Sequence, residues 1–212
     1  MPDNDGAASL HLVALRVCQL TATGTTLAQN MYVTQDLVHL QFNPDIETGP
    51  EISDRNAGGV LAVTWKIMDV MKRLTCQVET LKPDPVLEVL LTGGTVFTSG
   101  SNVQGFQYPP IMVEGNPNGV SIEAWTRAVV NGAQPLDFPY WRWVLPKIQL
   151  RKSNRTADTN RMANQYDGWG FQNAQWGAGP AGDFIYDKSR VVNVMRDTAI
   201  PAATTAVSAA PH

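Results

Sequence analysis

Residues able to carry out catalysis or to bind a metal ion are few in this sequence and lie far apart. The histidines are His11, His39 and His212, and none of them belongs to a His-x-x-x-His pair. No Gly-x-Ser-x-Gly elbow and no Gly-Lys-Ser/Thr phosphate loop is present. The sequence therefore predicts that the protein is not an enzyme and has no catalytic residue, metal or cofactor. A pairing of His11 or His39 with a distant serine is the enzymatic alternative that stays open.

One acidic segment has the spacing of a calcium-binding loop. Positions 1, 3, 5, 9 and 12 of that spacing are Asn43, Asp45, Glu47, Glu51 and Asp54. The sixth position is Thr48, however, where the sharp turn of such a loop requires glycine, and both flanks have strand patterns. An acidic, solvated loop is the interpretation that we favour over a calcium site.

The same segment is a candidate for self-assembly, because its charge is complementary to that of a second, basic segment. The assembly-loop candidates are Asp45, Ile46, Glu47, Glu51, Ile52, Asp54 and Arg55. The basic candidates are Arg142, Lys147, Arg151, Lys152, Arg155 and Arg161. Two separate patches of opposite charge allow head-to-tail association, which makes rings or open filaments. On charge alone, two unrelated solvated surfaces are the alternative.

The bulk composition is that of one folded domain. The chain has 212 residues, of which 43% are hydrophobic and 17% charged, against about 25% charged in an average domain. The net charge of −3 provides no basic surface for tight nucleic-acid binding. The N-terminus lacks a secretory pattern, and no apolar run reaches the roughly 20 residues that cross a bilayer. We expect a cytoplasmic, soluble protein without a membrane partner, in which Cys18 and Cys76 are buried thiols.

Alternation of apolar and polar residues with a period of two is the dominant pattern. It is clearest over 61–67, 73–80 and 120–126, where it predicts half-buried antiparallel strands. Weaker strand patterns cover 12–20, 32–42, 140–152, 165–172 and 190–196. After Pro146 the apolar residues change parity, which predicts a β-bulge at that residue.

One short helix is predicted over 84–92, with Asp84 as N-cap, Pro85 in the first turn and glycines 93 and 94 at its end. The predicted fold class is therefore all-β, mainly an antiparallel β-sandwich or barrel, with one short flanking α-helix. The predicted division of the chain is an N-terminal arm over 1–11, a β-sandwich domain over 12–198 and a C-terminal arm over 199–212. Segments without strand or helix character are expected at 43–59 and 95–118.

An ordered set of motifs runs along nearly the whole chain. The first half contains Met31-Tyr32-Val33-Thr34, Phe42-Asn43-Pro44, Arg55-Asn56-Ala57-Gly58-Gly59 and Leu81-Lys82-Pro83-Asp84-Pro85. The second half contains Asn116-Pro117-Asn118-Gly119-Val120, Pro139-Tyr140-Trp141-Arg142-Trp143 and Arg196-Asp197-Thr198-Ala199-Ile200-Pro201. Together these motifs resemble the major tail tube protein of long-tailed (siphovirus-type) bacteriophages, most closely those infecting actinobacteria. The resemblance covers residues 12 to 201.

The resemblance implies a structural protein of the virion, assembled in the host cytoplasm into hexameric rings that stack into a tube. The lumen of such a tube holds the tape-measure protein and conducts double-stranded DNA during ejection, and tail-tip and tail-terminator proteins are further partners. The 43–59 loop and both terminal arms are then expected to contact neighbouring subunits. Asp36 and Glu79 are the candidate lumen residues, because an acidic wall does not retain DNA as a basic one would.

Tryptophan is concentrated in the second half of the chain, at positions 125, 141, 143, 169 and 176. Strand spacing predicts that most of these side chains belong to the core. A row of them on the surface would instead stack against sugar rings. A glycan-binding β-sandwich of a tail tip or adhesin is therefore the alternative function.

Overall fold

The computed structural model describes residues 7–100, 102–112, 115–157, 162–183, 185 and 187–204. Within these ranges the chain forms twelve strands and one helix. The strands are β1 (Ala8–Leu20), β2 (Thr26–Thr34), β3 (Leu37–Glu47), β4 (Glu51–Arg55), β5 (Leu61–Lys66), β6 (Val70–Thr80), β7 (Thr95–Ser99), β8 (Asn102–Gln107), β9 (Val120–Val129), β10 (Tyr140–Ala157), β11 (Met162–Phe171) and β12 (Asn193–Asp197). The helix, α1 (Pro85–Thr92), follows β6. The predicted all-β class with one short helix is confirmed.

Most strands belong to one antiparallel sheet with the order β2-β1-β9-β10-β11-β6-β3. The long strand β10 pairs with β12 through its first residues and with β11 through its last. Strands β1 and β3 are not hydrogen-bonded neighbours, yet they contact each other across the core. The sheet therefore curls over on itself like a barrel whose seam, between β1 and β3, is not closed. Two hairpins, β4-β5 and β7-β8, lie outside this sheet.

The core fills the inside of the curl. The apolar positions that alternation predicted on β6 and β9 are all buried: Leu74, Cys76, Val78, Val120, Ile122 and Ala124. Leu87 and Leu91 of α1 complete the same cluster. Both cysteines are buried free thiols, as predicted. Burial raises the pKa of the Cys18 thiol to about 11 and that of the Cys76 thiol to about 12.

The irregularity predicted at Pro146 is a register shift between β10 and β9. Leu145 pairs with Ile122 and Ile148 pairs with Val120, so β10 contains one residue more than β9 at this point. Both Leu145 and Ile148 are fully buried as a result. The extra residue restores the apolar side chains to the core, and the predicted bulge is confirmed.

The helix begins and ends at the predicted residues. The Asp84 carboxylate accepts hydrogen bonds from the amides of Val86 (3.1 Å) and Leu87 (3.2 Å), and Pro85 is the first helical residue. The Gly93 amide donates to the carbonyl of Val89 at 2.8 Å. These contacts satisfy backbone groups at both ends of α1 that have no partner within the helix.

Several segments differ from the sequence-based expectations. The residues 32–42, predicted as one strand, are divided between β2 and β3. The region 95–118 contains the β7-β8 hairpin, whose short strands have too little alternation to be predicted. The predicted N-terminal arm overlaps β1, because Ala8 pairs with Val129. At the other terminus, the Thr204 amide donates to the Val33 carbonyl at 3.0 Å, and residues 205–212 lie outside the described ranges.

A search of the described residues for membrane spans found no helix of sufficient length and hydrophobicity.

Candidate assembly interface

The segment predicted as a long loop, 43–59, is largely strand and belongs to a long two-stranded ribbon. Strands β3 and β6 pair up to Glu47 and Val70, and β4 and β5 then pair from Glu51 and Lys66. Between these ladders, the Ile67 amide donates to the Pro50 carbonyl at 3.1 Å. We call residues 43–73 of this ribbon the hairpin arm. The loop prediction was wrong because Asn43 to Glu47 and Glu51 to Arg55 carry mostly polar side chains, although their backbones are paired as strands.

A glycine allows the two strands of the hairpin arm to approach closely at their junction. A Cβ atom on Gly49 would lie 2.0 Å from the carbonyl oxygen of Ile67, so no larger residue fits without a backbone shift. The Gly49 amide also donates to Asp69 Oδ1 at 3.1 Å. That backbone hydrogen bond is the main reason why the pKa of the Asp69 carboxyl is lowered.

The tip of the hairpin arm is a turn organised by Asn56. Its Oδ1 atom accepts hydrogen bonds from the amides of Gly58 (3.1 Å) and Val60 (3.0 Å). The Arg55 guanidinium donates to the carbonyl of Gly59 at 2.8 Å, and Gly59 has a φ of +78° that favours glycine. The tip motif Arg55-Asn56-Ala57-Gly58-Gly59 therefore forms a turn of defined geometry.

One face of the β4-β5 hairpin has Ile52, Val63 and Trp65. Ile52 pairs directly with Trp65, and Val63 pairs with Asp54, so that one carboxylate lies on this otherwise apolar face. Leu61 pairs with Arg55 beyond a register shift. The opposite face has Glu51, Ser53, Thr64 and Lys66. The alternation predicted for 61–67 is therefore present, but its apolar side chains are exposed instead of half-buried: Trp65 is 58% exposed and Val63 56%.

Exposed apolar side chains occur along the whole hairpin arm. Ten large ones are between 42% and 84% exposed: Ile46, Ile52, Val60, Leu61, Val63, Trp65, Ile67, Met68, Val70 and Met71. An isolated two-stranded hairpin is marginally stable in water and requires packing on another surface. A concentration of exposed apolar side chains on one element marks an interaction site in a folded protein.

The acidic assembly candidates have basic neighbours within the ribbon itself. Arg73 donates to Asp45 at 2.7 Å, and Lys72 pairs with Glu47 at 2.9 Å. Glu51, Ile52 and Asp54 are all exposed on β4. Ile46, on β3, is exposed as well. The segment thus has a smaller excess of negative charge than the sequence of 43–59 indicates, because β6 contributes bases that are distant in sequence.

The basic candidates do not form one surface patch. Arg142 is only 2% exposed and Lys152 is mostly buried, so the expected role of these two in a basic surface is wrong. Lys147 is half-buried, and Arg151 is exposed beside Trp169. Only the backbone of Arg155, in β10, is described, and Arg161 lies outside the described residues.

Arg142 belongs to a buried ionic cluster that the sequence did not indicate. The Glu123 side chain is completely buried and forms ion pairs with both Arg16 and Arg142. Arg142 also donates to Asp183 at 2.9 Å, and both guanidinium groups lie about 5 Å from the ring centre of Trp125. Burial disfavours the charged form of Asp183, but the hydrogen bond and charge of Arg142 outweigh burial and lower the pKa of Asp183. The cluster holds the segment around Asp183 against β1, β9 and β10.

A second buried ion pair anchors α1. The Lys152 ammonium group pairs with the fully buried Glu88 of the helix and donates to Asn164 Oδ1 at 3.2 Å. The rings of Phe106, Tyr108 and Tyr166 surround the same ammonium group at 5.4–5.7 Å. Lys152 therefore has a structural position between α1, β8 and β11.

The two candidate lumen residues lie in different environments. Asp36 pairs with Lys82 at 2.6 Å, and the hydrogen bond to Asp36 is the main reason why the pKa of Lys82 is raised. Glu79 is on the face of β6 that points away from the core, in register with His39 of β3 and Gln165 of β11. The same face has a polar depression of about 350 Å³ that includes Gln41, Gln77, Asp167 and Trp169 in its lining.

The tryptophans are divided between core and surface. Trp125 and Trp176 are fully buried, whereas Trp141, Trp143 and Trp169 are half-buried. Arg73 and Arg151 lie over the ring of Trp169 at 5.0 and 5.5 Å. The expectation that most of these side chains lie in the core is therefore met fully at only two of the five positions.

Of the residues with catalytic potential, His39 of β3 and Ser9 of β1 line the same groove. His39 contacts Gln41 Oε1 at 3.2 Å, and His11 lies in β1 with a φ of 51°. Among the described residues, no group of three or more His, Cys, Asp or Glu side chains could hold a metal ion. His212 lies outside the described residues.

Fold and surface together define an all-β protein with a hairpin, outside the main sheet, that exposes large apolar side chains. No protein-family model and no curated protein matched the chain.

Proposed function

We propose that the protein is the structural subunit of a bacteriophage tail tube. In this proposal the subunits form stacked hexameric rings around a lumen that holds the tape-measure protein and conducts double-stranded DNA. The observation that carries the proposal is the hairpin arm, whose ten large apolar side chains are left exposed by the part of the chain that the structure describes. Tail-tip and tail-terminator proteins are the other partners, and the virion is the location.

The size of the exposed surface supports stable association. At roughly 50–80 Å² of apolar area for each half-exposed side chain, the hairpin arm offers on the order of 500–800 Å². One side of a stable protein–protein interface buries about 800 Å². A surface of that size on a projecting element is more than an isolated domain needs, and it fits a subunit whose fold is completed by neighbouring copies.

The sequence resemblance supports the same function. Its tip motif, Arg55 to Gly59, is the organised turn of the hairpin arm, and its motif Asn116 to Val120 leads into the central strand β9. The net charge of −3 also suits a tube that must release DNA, because few phosphate contacts would be made.

The test is assembly of the purified protein, measured by sedimentation velocity and by negative-stain electron microscopy over a range of concentrations. We expect rings or tubes with an open centre. The double variant Val63→Ser/Trp65→Ser should remain folded and sediment as a monomer, whereas Thr64→Ser, on the opposite face of β5, should assemble normally. A wild-type protein that stays monomeric at high concentration and with added tail-tip complex would contradict the proposal.

A glycan-binding module is the second candidate, and one observation favours it. Trp169 lies in an open polar depression with amide, carboxylate and guanidinium groups from Gln41, Gln77, Asp167 and Arg151. Aromatic rings next to such groups bind sugars by stacking and hydrogen bonding. Screening glycans against the wild type and Trp169→Ala tests this function, and binding that Trp169→Ala abolishes would favour it over assembly.

A further inference from the structure

The open seam of the sheet contains an apolar groove. Its volume is about 300 Å³, and its lining consists of Ser9, Leu12, His39, Leu40, Phe42, Ala124, Thr126 and Trp143. The rings of Phe42 and Trp143 lie 5.6 Å apart on its wall, and both side chains pack against the core. Among these lining residues His39 is the single ionisable side chain. The groove therefore opens into the apolar interior, and its lining has no carboxylate, ammonium or guanidinium group.

The groove lies beside the irregular first part of β1, which contributes Ser9 and Leu12 to its lining. The pairing of β1 with β9 shifts between Leu10 and Leu12 and again between Leu12 and Ala14. Between these shifts His11 adopts a φ of 51°, which is unfavourable for a residue with a side chain. Two bulges close together bend a strand away from its regular course. The bent strand leaves a space between itself and β3 that the core does not fill.

We infer that this groove is the receiving site for the hairpin arm of a second copy of the chain, with Trp65 and Val63 as the side chains that enter it. The inference rests on the proposed self-assembly and identifies the surface that the hairpin arm contacts. An aromatic anchor in a desolvated pocket is the usual centre of a stable interface. The arm has an exposed tryptophan on its apolar face, and the groove has apolar walls without a carboxylate or ammonium group to desolvate.

The positions of arm and groove indicate a second copy instead of the same chain. Both lie along β3: the groove includes residues 39, 40 and 42, and the hairpin arm begins at Asn43 and continues the β3-β6 ladder beyond it. The arm thus extends away from the groove of its own chain. The arm and the groove occupy different positions along β3, so a contact between the arm of one copy and the groove of the next is heterologous. Such a contact repeats from copy to copy and generates rings or filaments.

Cysteine cross-linking tests the inference. One chain has Val63→Cys, a second chain with a different tag has Ser9→Cys, and the mixture is oxidised under conditions where the wild type assembles. The matched control is Thr64→Cys with Ser9→Cys, because Thr64 is adjacent to Val63 but points to the opposite face of β5. Background from Cys18 and Cys76 is low, because both thiols are buried. Disulfide formation requires Cα atoms within about 7 Å of each other.

We expect a severalfold excess of the disulfide-linked dimer for the Val63→Cys pair over the control pair. If the protein assembles and the two pairs cross-link equally or not at all, the groove is not the receiving site, although the proposed function stands. If the wild type does not assemble, both the proposed function and the assignment of the groove as the receiving site fail. A second readout is the emission of Trp65, obtained as the difference between the spectra of the wild type and Trp65→Phe, because the chain has five other tryptophans. Assembly should shift this emission to shorter wavelength, and an unchanged emission in assembled protein would also contradict the inference.

Discussion

The Tyr32 hydroxyl of β2 donates a hydrogen bond to the carboxylate of Asp84, the same group that caps α1. One side chain thus fixes both the first turn of the helix and the position of the helix on an edge strand. Burial, followed by the hydrogen bond and charge of Asp84, raises the pKa of Tyr32.

We predict that Asp84→Ala lowers the free energy of unfolding by about 2–3 kcal/mol, because it removes a helix cap and leaves the Tyr32 hydroxyl without its acceptor. Tyr32→Phe removes only the hydrogen bond and should cost about 1 kcal/mol. Urea denaturation of both variants measures the difference. Equal losses in the two variants would show that the cap itself contributes nothing.

A second prediction concerns the buried ionic cluster. Arg142→Met leaves the buried Glu123 with Arg16 as its remaining partner and leaves Asp183 with only its 3.9 Å contact to Arg16, so we expect a loss of about 3–5 kcal/mol. Arg151 lies on the same strand and is exposed. Arg151→Met should therefore change the free energy of unfolding by less than about 0.5 kcal/mol. Thermal unfolding compares the two. A small effect of Arg142→Met would contradict the structural role assigned to this arginine.

A third prediction separates assembly from folding. Gly49→Ala forces the strands of the hairpin arm apart at the Ile67 carbonyl, whereas the Cβ atom of Gly58→Ala, at the tip, meets only Asn56 Oδ1, at an ordinary contact distance of 3.4 Å. We expect Gly49→Ala to abolish assembly while the melting temperature of the monomer stays nearly constant, because the arm lies outside the core. Gly58→Ala should assemble. Electron microscopy measures the assembly of both variants. Normal assembly of Gly49→Ala would show that close pairing of the strands in the hairpin arm is not required for assembly.

A fourth prediction concerns alkaline pH. Burial raises the pKa values of Cys18 and Cys76 in the folded protein to about 11 and about 12, above the ordinary thiol value of 9.0. The unfolded state therefore releases these protons first, and the stabilisation present below pH 9 is lost as the pH rises toward the folded values. Each thiol contributes a slope of up to about 1.4 kcal/mol per pH unit. Cys76→Ala should flatten the decline between pH 9 and pH 11 in denaturation experiments, and an unchanged slope would contradict the burial argument.

The parts of the fold that could be predicted are those in which local pattern and tertiary environment agree. Alternation on β6 and β9 and the capping residues of α1 correctly predicted buried faces and helix ends, since the core covers those faces within one chain. The same pattern at Leu61 to Ile67 correctly predicted an apolar face but not its exposure. Periodicity reports that a face is apolar and contains no information on which molecule covers it.

Charged residues were the ones whose position in the fold was predicted least well from the sequence. Arg142 and Lys152 were counted as surface bases because arginine and lysine are rarely buried without a partner. Their partners, Glu123 and Glu88, are 19 and 64 residues away in sequence, so neither pairing could be read from local spacing. The aromatic and ionic contacts around Trp125 were missed for the same reason: they form only when β1, β9 and β10 come together.

The continuity of the hairpin arm with β3 and β6 has a mechanical consequence. A pull on the tip along the strand direction is transmitted through the ribbon to β6, which is held in the sheet by seven residue pairs with β11, from Thr80↔Asn164 to Leu74↔Gly170. Because that force runs parallel to the strands, it loads these pairs in shear and at the same time, instead of opening them one after another. In the proposed tube, tension between neighbouring molecules would therefore be borne by the main sheet of each, and a column of such molecules would resist stretching as a single elastic body.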